Sequence, residues 1–122
     1  MATDHPALVQ LRSLIGQWPE TQERLSHGAP TFWGGRKTFA SFQANHHGDG
    51  RIAIWCKSTL DAQEDLVEAA PDVFFVPPYV GPSGWIGIRV DGDVNWHQVG
   101  ALLEQAYRQV APKRAVRALD GE

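Results

Sequence analysis

Two short segments, Ile52–Lys57 and Trp85–Val90, share one pattern, and it constrains the fold more than any other feature of the chain. Ile52, Ile54 and Cys56 alternate with Ala53, Trp55 and Lys57, and Ile86, Ile88 and Val90 alternate with Trp85, Gly87 and Arg89. Successive side chains on a strand point to opposite faces of its sheet. Each segment therefore sends aliphatic side chains to one face and tryptophan with a cation to the other. The aliphatic face is predicted to lie beneath helices, and the second face to be partly covered or open. Lys37, Phe39 and Ser41 would continue that second face if Phe42 belongs to the core.

Helices to cover the aliphatic face are readable on either side. Asp4 to Trp18 carries Leu8, Leu11, Ile15 and Trp18 at helical spacing, with Thr3 or Asp4 as cap, Pro6 in the first turn and Pro19 as a stop. Ser58 with Asp61 three residues on marks the start of a second helix, which Pro71 ends. The third is the clearest, with Val99, Leu102, Leu103, Ala106, Tyr107 and Val110 on one stripe and Pro112 as its end. Lys113 to Glu122 is a tail, frayed or briefly helical.

Strand-favouring runs fill the gaps at Thr31–Trp33, Lys37–Ala44 and Val73–Val76. Thr21–Ser26 is weakly patterned and could be a short edge strand. Gly34-Gly35 signals a hairpin or bulge, and Asn45 to Gly50 a loop. Most links are too short for parallel crossovers. The reading is an α+β two-layer sandwich, ordered helix, three strands, helix, two strands, helix, on a mainly antiparallel five-stranded sheet. Its 122 residues make one domain, 1–122, without repeats or linkers.

Composition narrows the function classes. Eleven Lys and Arg against 14 Asp and Glu give a formal charge of −3, whereas dedicated nucleic-acid binders are usually basic. A local patch matters more than the total, however. The apolar runs are too short to span a bilayer, and the first twenty residues lack the pattern of a secretory leader. With its single cysteine, Cys56, the chain is expected in the cytoplasm.

Catalytic chemistry finds little support. Ser26-His27 has no acid spaced to orient the histidine, and Glu20 with Glu23 does not make an acid–base pair. His46-His47 with Asp49 lacks a second ligand cluster and reads as a solvated hairpin tip. Gly34-Gly35-Arg36-Lys37 lacks P-loop spacing, and Cys56 falls on the aliphatic face as a small buried hydrophobe. No enzyme activity, metal or cofactor is expected. Binding is the better-supported role. Trp55 and Trp85 offer rings for stacking, and Lys57 and Arg89 beside them suit anions. The turn cations Arg36 and Lys37 and the tail cations Lys113 and Arg114 add positive charge. The alternative is that both tryptophans lie beneath a loop, such as Pro77-Pro78-Tyr79, or within a dimer interface.

Six phrases fall in the order seen in the MmcQ/YjbR family. They are Trp18-Pro19-Glu20, Ser26 to Phe32, Lys37-Thr38-Phe39-Ala40, Pro77 to Gly81, Gly84-Trp85-Ile86-Gly87 and Ala106 to Lys113. The chain resembles that family over nearly its whole length, with Trp33-Gly34-Gly35-Arg36 as a departure from the usual apolar residue and Gly-Lys. The resemblance implies a two-layer domain akin to secretion chaperones and CyaY-like proteins. It also implies DNA binding, by likeness to a double-wing motif in a phage transcription factor, and supplies no catalytic residues. DNA is thus the expected partner, contacted through Arg36, Lys37, Trp55, Lys57, Trp85, Arg89, Lys113 and Arg114. A protein or a second copy of the chain is the alternative, and no membrane partner is expected.

Overall fold

A computed structural model describes residues 4–122. The element order is α1 (Pro6–Ile15), β1 (Thr21–Ser26), β2 (Ala29–Gly34), β3 (Lys37–Ala44), β4 (Ile52–Cys56), α2 (Leu60–Ala69), β5 (Phe74–Phe75), β6 (Ile86–Arg89), α3 (Trp96–Val110) and α4 (Lys113–Leu119). The strands form one antiparallel sheet in the order β1-β2-β3-β4-β6-β5. The α+β antiparallel reading holds, with a sixth strand because Thr21–Ser26 pairs along its full length with β2. The tail is helical, as α4.

The alternation of β4 and β6 places the two faces as expected. Ile52, Ile54, Cys56, Ile86, Ile88 and Val90 join Phe42, Leu8, Leu11, Leu103 and Tyr107 in the main core. A second, smaller cluster of Ala53, Trp55 and Trp85 packs with Phe75 and Val80 on the helix-free face. Cys56 is fully buried, and burial pushes its thiol up to about 12, so it stays protonated and inert.

Three local expectations change. Phe39 does not continue the second face. The β2–β3 register slips between Phe32 and Trp33, making Phe39 the extra residue of a bulge, and its ring turns into the main core beside Trp18 and Tyr107. Helix α2 is capped by Thr59 rather than Ser58, through a 3.1 Å hydrogen bond from the Ala62 amide to Thr59 Oγ1. Helix α1 is capped by His5, whose Nδ1 accepts from the Ala7 amide at 3.0 Å. Asp4 pairs with Arg12 instead, and Thr3 lies outside the described residues.

The two sheet edges differ. Edge strand β1 is six residues long, with Leu25 75% exposed. Edge strand β5 is two residues long and ends just before Val76 and Pro77.

Candidate functional site

The helix-free face is assembled from alternate residues of all six strands. The register places Arg24 opposite Thr31 and Gln22 opposite Trp33, then Thr31 opposite Ser41, Ser41 opposite Trp55, and Gln43 opposite Ala53. Beyond them Trp55 pairs with Gly87 and Ala53 with Arg89. The Phe75 ring lies flat against Gly87, where even a Cβ would come within 2.4 Å of it. Glycine is needed there for close approach.

Trp55 and Trp85 therefore share the helix-free face, but they are only 5% and 8% exposed. The loop between β5 and β6 covers them with Val80. Gln63, a buried polar residue of α2, fixes that loop. Its Nε2 donates to the carbonyls of Gly81 at 2.8 Å and Trp85 at 2.6 Å. The covering loop is the Pro77-Pro78-Tyr79 segment that the sequence offers as the alternative to an open face. The stretch of indole beside cation is thus closed over at this end of the sheet.

What stays open is a cleft of about 810 Å³ beside the covered tryptophans. Its floor is Thr31, Thr38, Ser41, Gln43 and Trp55, and its rim includes His27, Asn45, His46, His47 and Tyr79. Among the lining residues there is no Asp, Glu, Lys or Arg. One wall is aromatic. The His46 ring stands edge-on to Trp55 at 4.8 Å and to His47 at 4.1 Å, and Tyr79 lies 6.0 Å from His46. His46 is thus part of a wall rather than the solvated tip expected from sequence. Burial holds its imidazole below the usual range, with His47 adding to the effect and Asp49 opposing it.

Backbone strain concentrates at the same rim. Five described residues other than glycine have positive φ, and four of them line the cleft: His27 (50°), Asn45 (53°), His47 (49°) and Tyr79 (66°). Such conformations cost on the order of 1–3 kcal/mol each and gather at binding sites, where surrounding structure holds them. Tyr79 is 77% exposed, an aromatic ring held out over the opening.

The polar side chains under the cleft differ in how they are satisfied. Trp55 Nε1 is buried with no partner. Ser41 Oγ accepts from Gln43 Nε2 at 3.0 Å, and no described hydrogen bond uses its own proton. Thr31 is satisfied internally, since its Oγ1 donates to the Ala29 carbonyl at 3.0 Å.

The cations expected to act together separate into two groups. Lys57 is half-buried just past β4, and Arg89 faces outward within 3.5 Å of Asp91. Arg36, Lys37, Lys113 and Arg114 belong to another corner, where the β2–β3 turn meets the start of α4. There Gly35 abuts Pro112, the Gly35 amide donates to the Glu20 carbonyl at 3.0 Å, and Arg114 is ion-paired to Glu20 at 2.6 Å. Sequence reasoning missed Arg24 and Arg51. Arg24 stacks 4.2 Å from the Trp33 ring centroid and Arg51 4.0 Å from that of Phe75, both on the helix-free face. The alternation of Gln22, Arg24 and Ser26 would have found the first. No local pattern announces the second. Among the described residues, no group of three or more His, Cys, Asp or Glu is placed to hold a metal ion. No described helix is long and apolar enough to cross a membrane.

A family model described as YjbR matches residues 16–109. No curated protein matches the chain. Among solved structures, the crystal structure of Deinococcus radiodurans protein DR2400, a DUF419 domain, is similar in fold. The TM-score is 0.73, at 20% identity, over 93% of this chain and 87% of that one.

Proposed function

The chain belongs to the YjbR family, and from that premise we propose that it is a binding module without catalytic activity, taking single-stranded DNA across its helix-free face. The observation that carries this reading is the uncharged cleft, walled by His46, His47 and Tyr79 and rimmed by strained backbone. Unpaired bases present flat faces that stack on such rings, each worth roughly 1–3 kcal/mol, whereas duplex bases keep theirs hidden. Backbone phosphates would meet Arg24, Arg51, Lys57 and Arg89 around the cleft. The strand residues of this face include no acid, while Asp61, Glu64, Asp65 and Glu68 all sit on α2, so the total of −3 understates the local field.

The rival role, a protein or homodimer interface on the tryptophans, has less support because Val80 and Phe75 already cover both indoles. The test is titration of a labelled single-stranded oligonucleotide and its duplex. Single strands should bind more tightly. With at most four phosphate contacts, the slope of log affinity on log salt should be no steeper than about −3, at about −0.7 per contact. Arg24→Ala should flatten it by about one contact, and Lys113→Ala should leave it unchanged. Duplex preference, or no binding at low salt, would refute the reading, and a monomer–dimer transition lost on Trp85→Ala would favour the rival.

A further inference from the structure

The arginine of the outermost strand is placed unlike the others, and this inference rests on the single-strand reading above. Arg24 is exposed on β1, and its Cζ lies 4.2 Å over the ring centroid of half-buried Trp33 on β2. Arg12, Arg51, Arg89, Arg108 and Arg114 are each ion-paired, whereas Arg24 takes part in no described ion pair. Strand alternation explains the difference. Glu23, its neighbour in sequence, points to the helix side, where Arg12 holds it at 2.7 Å. The guanidinium of Arg24 is thus held against an indole while the residue stays exposed and no described carboxylate takes its donors.

Its position links it to the cleft. Thr31 lies directly opposite Arg24 and Thr38 directly opposite Trp33, and both threonines line the cleft. Directly opposed residues of an antiparallel pair share a face. The Arg24–Trp33 pair and the cleft are therefore adjacent parts of one surface, and no strand residue of that surface is an acid that would repel a polyanion. A guanidinium is planar and weakly hydrated, so flat groups stack on it, and its N–H donors lie at its edge; an ammonium is a compact, strongly hydrated point charge. Unpaired bases stack on arginine planes as they do on aromatic rings. We propose that Arg24, backed by Trp33, is a second base-stacking position beside the cleft, so that a single strand places one base in the cleft and another on the guanidinium. The edge of the same guanidinium remains to meet a phosphate.

The experiment separates a plane from a charge. Labelled oligothymidylate is titrated over a range of salt against the native chain, Arg24→Lys, Trp33→Ala and the double variant. Lysine keeps the charge and loses the plane. Arg24→Lys should therefore weaken binding about fivefold or more, the loss of one stacked base, with the slope of log affinity on log salt unchanged. Trp33→Ala should weaken binding by a similar factor, and the double variant should bind no more weakly than either single one, because the two side chains act as one stack. Native affinity in Arg24→Lys would make Arg24 a point charge for phosphate and overturn the proposal. A loss accompanied by a slope flattened by about 0.7 is a lost phosphate contact and overturns it too. So do additive losses in the double variant, or native affinity in Trp33→Ala. All of these results leave the single-strand reading intact, whereas a native chain that binds no oligothymidylate at low salt removes both. Arg24→Lys alters one exposed side chain on an edge strand, which keeps the test decisive should Trp33→Ala disturb the fold.

Discussion

Tyr79 is the residue whose chemistry and conformation most disagree. It is held at φ 66°, a region that favours glycine, while its ring stands in solvent. Tyr79→Gly should leave the fold as stable or up to about 1 kcal/mol more stable, since strain is removed and little packing is lost. The same change should weaken single-strand binding at least fivefold, roughly the loss of one stacked base. Denaturant melts and oligonucleotide titration check the two halves separately. His46 titrates with a definite sign. Its folded pKa lies below the ordinary 6.5, so the unfolded chain takes up the proton first as pH falls, and stability conferred by the neutral ring is lost on acidification. His46→Asn should flatten the fall in Tm between about pH 7 and about pH 5. Much at this scale was legible from sequence. Alternation alone placed Cys56 in the core and both tryptophans opposite it. The strained rim was not legible, because left-handed His, Asn and Tyr follow from tertiary enclosure and leave no local signature.

Gln63 shows how one helix controls a distant loop. It is 8% exposed on a helix whose charged residues suggest a solvated face, and it holds two carbonyls of the loop that roofs Trp85. Gln63→Ala should cost about 2 kcal/mol in urea unfolding, because both carbonyls lose their donor, and Gln63→Glu should cost more by placing a carboxylate against them. Strand assignments were readable where side chains alternate cleanly, as in β4 and β6. They failed at β3, where the bulge inserts Phe39 and turns the pattern over midway. A bulge is a pairing event between two strands, invisible in either one alone. The weak pattern of β1 has a comparable cause. Gln22, Arg24 and Ser26 join the helix-free face, and on the other side Arg12 holds Glu23 at 2.7 Å while Thr21 Oγ1 donates to the Trp18 carbonyl at 3.2 Å. A polar edge strand hides among loops until its partner is known.

The molecule as a whole distributes its charge unevenly. Helix α2 carries Asp61, Glu64, Asp65 and Glu68, whereas the helix-free face carries Arg24, Arg51 and Arg89 and no acid among its strand residues. Net charge is blind to where charges sit, so the total of −3 says little about any one face. Near neutral pH the ion pairs on the helix side are intact. Arg108 holds the Asp120 carboxyl below its ordinary range, so that pair supports the fold above the unfolded carboxylate pKa and is lost as pH drops through the lowered value. Arg108→Ala should therefore reduce acid sensitivity in Tm below about pH 4. The unequal borders of the sheet carry a last consequence. Among the described residues, β1 alone offers an edge strand long enough to dock another strand, and β5 stops after two residues. Association by strand pairing can join one β1 to another about a twofold axis, and each copy then has nothing left to extend from. Such growth terminates at a pair and cannot propagate into a fibre.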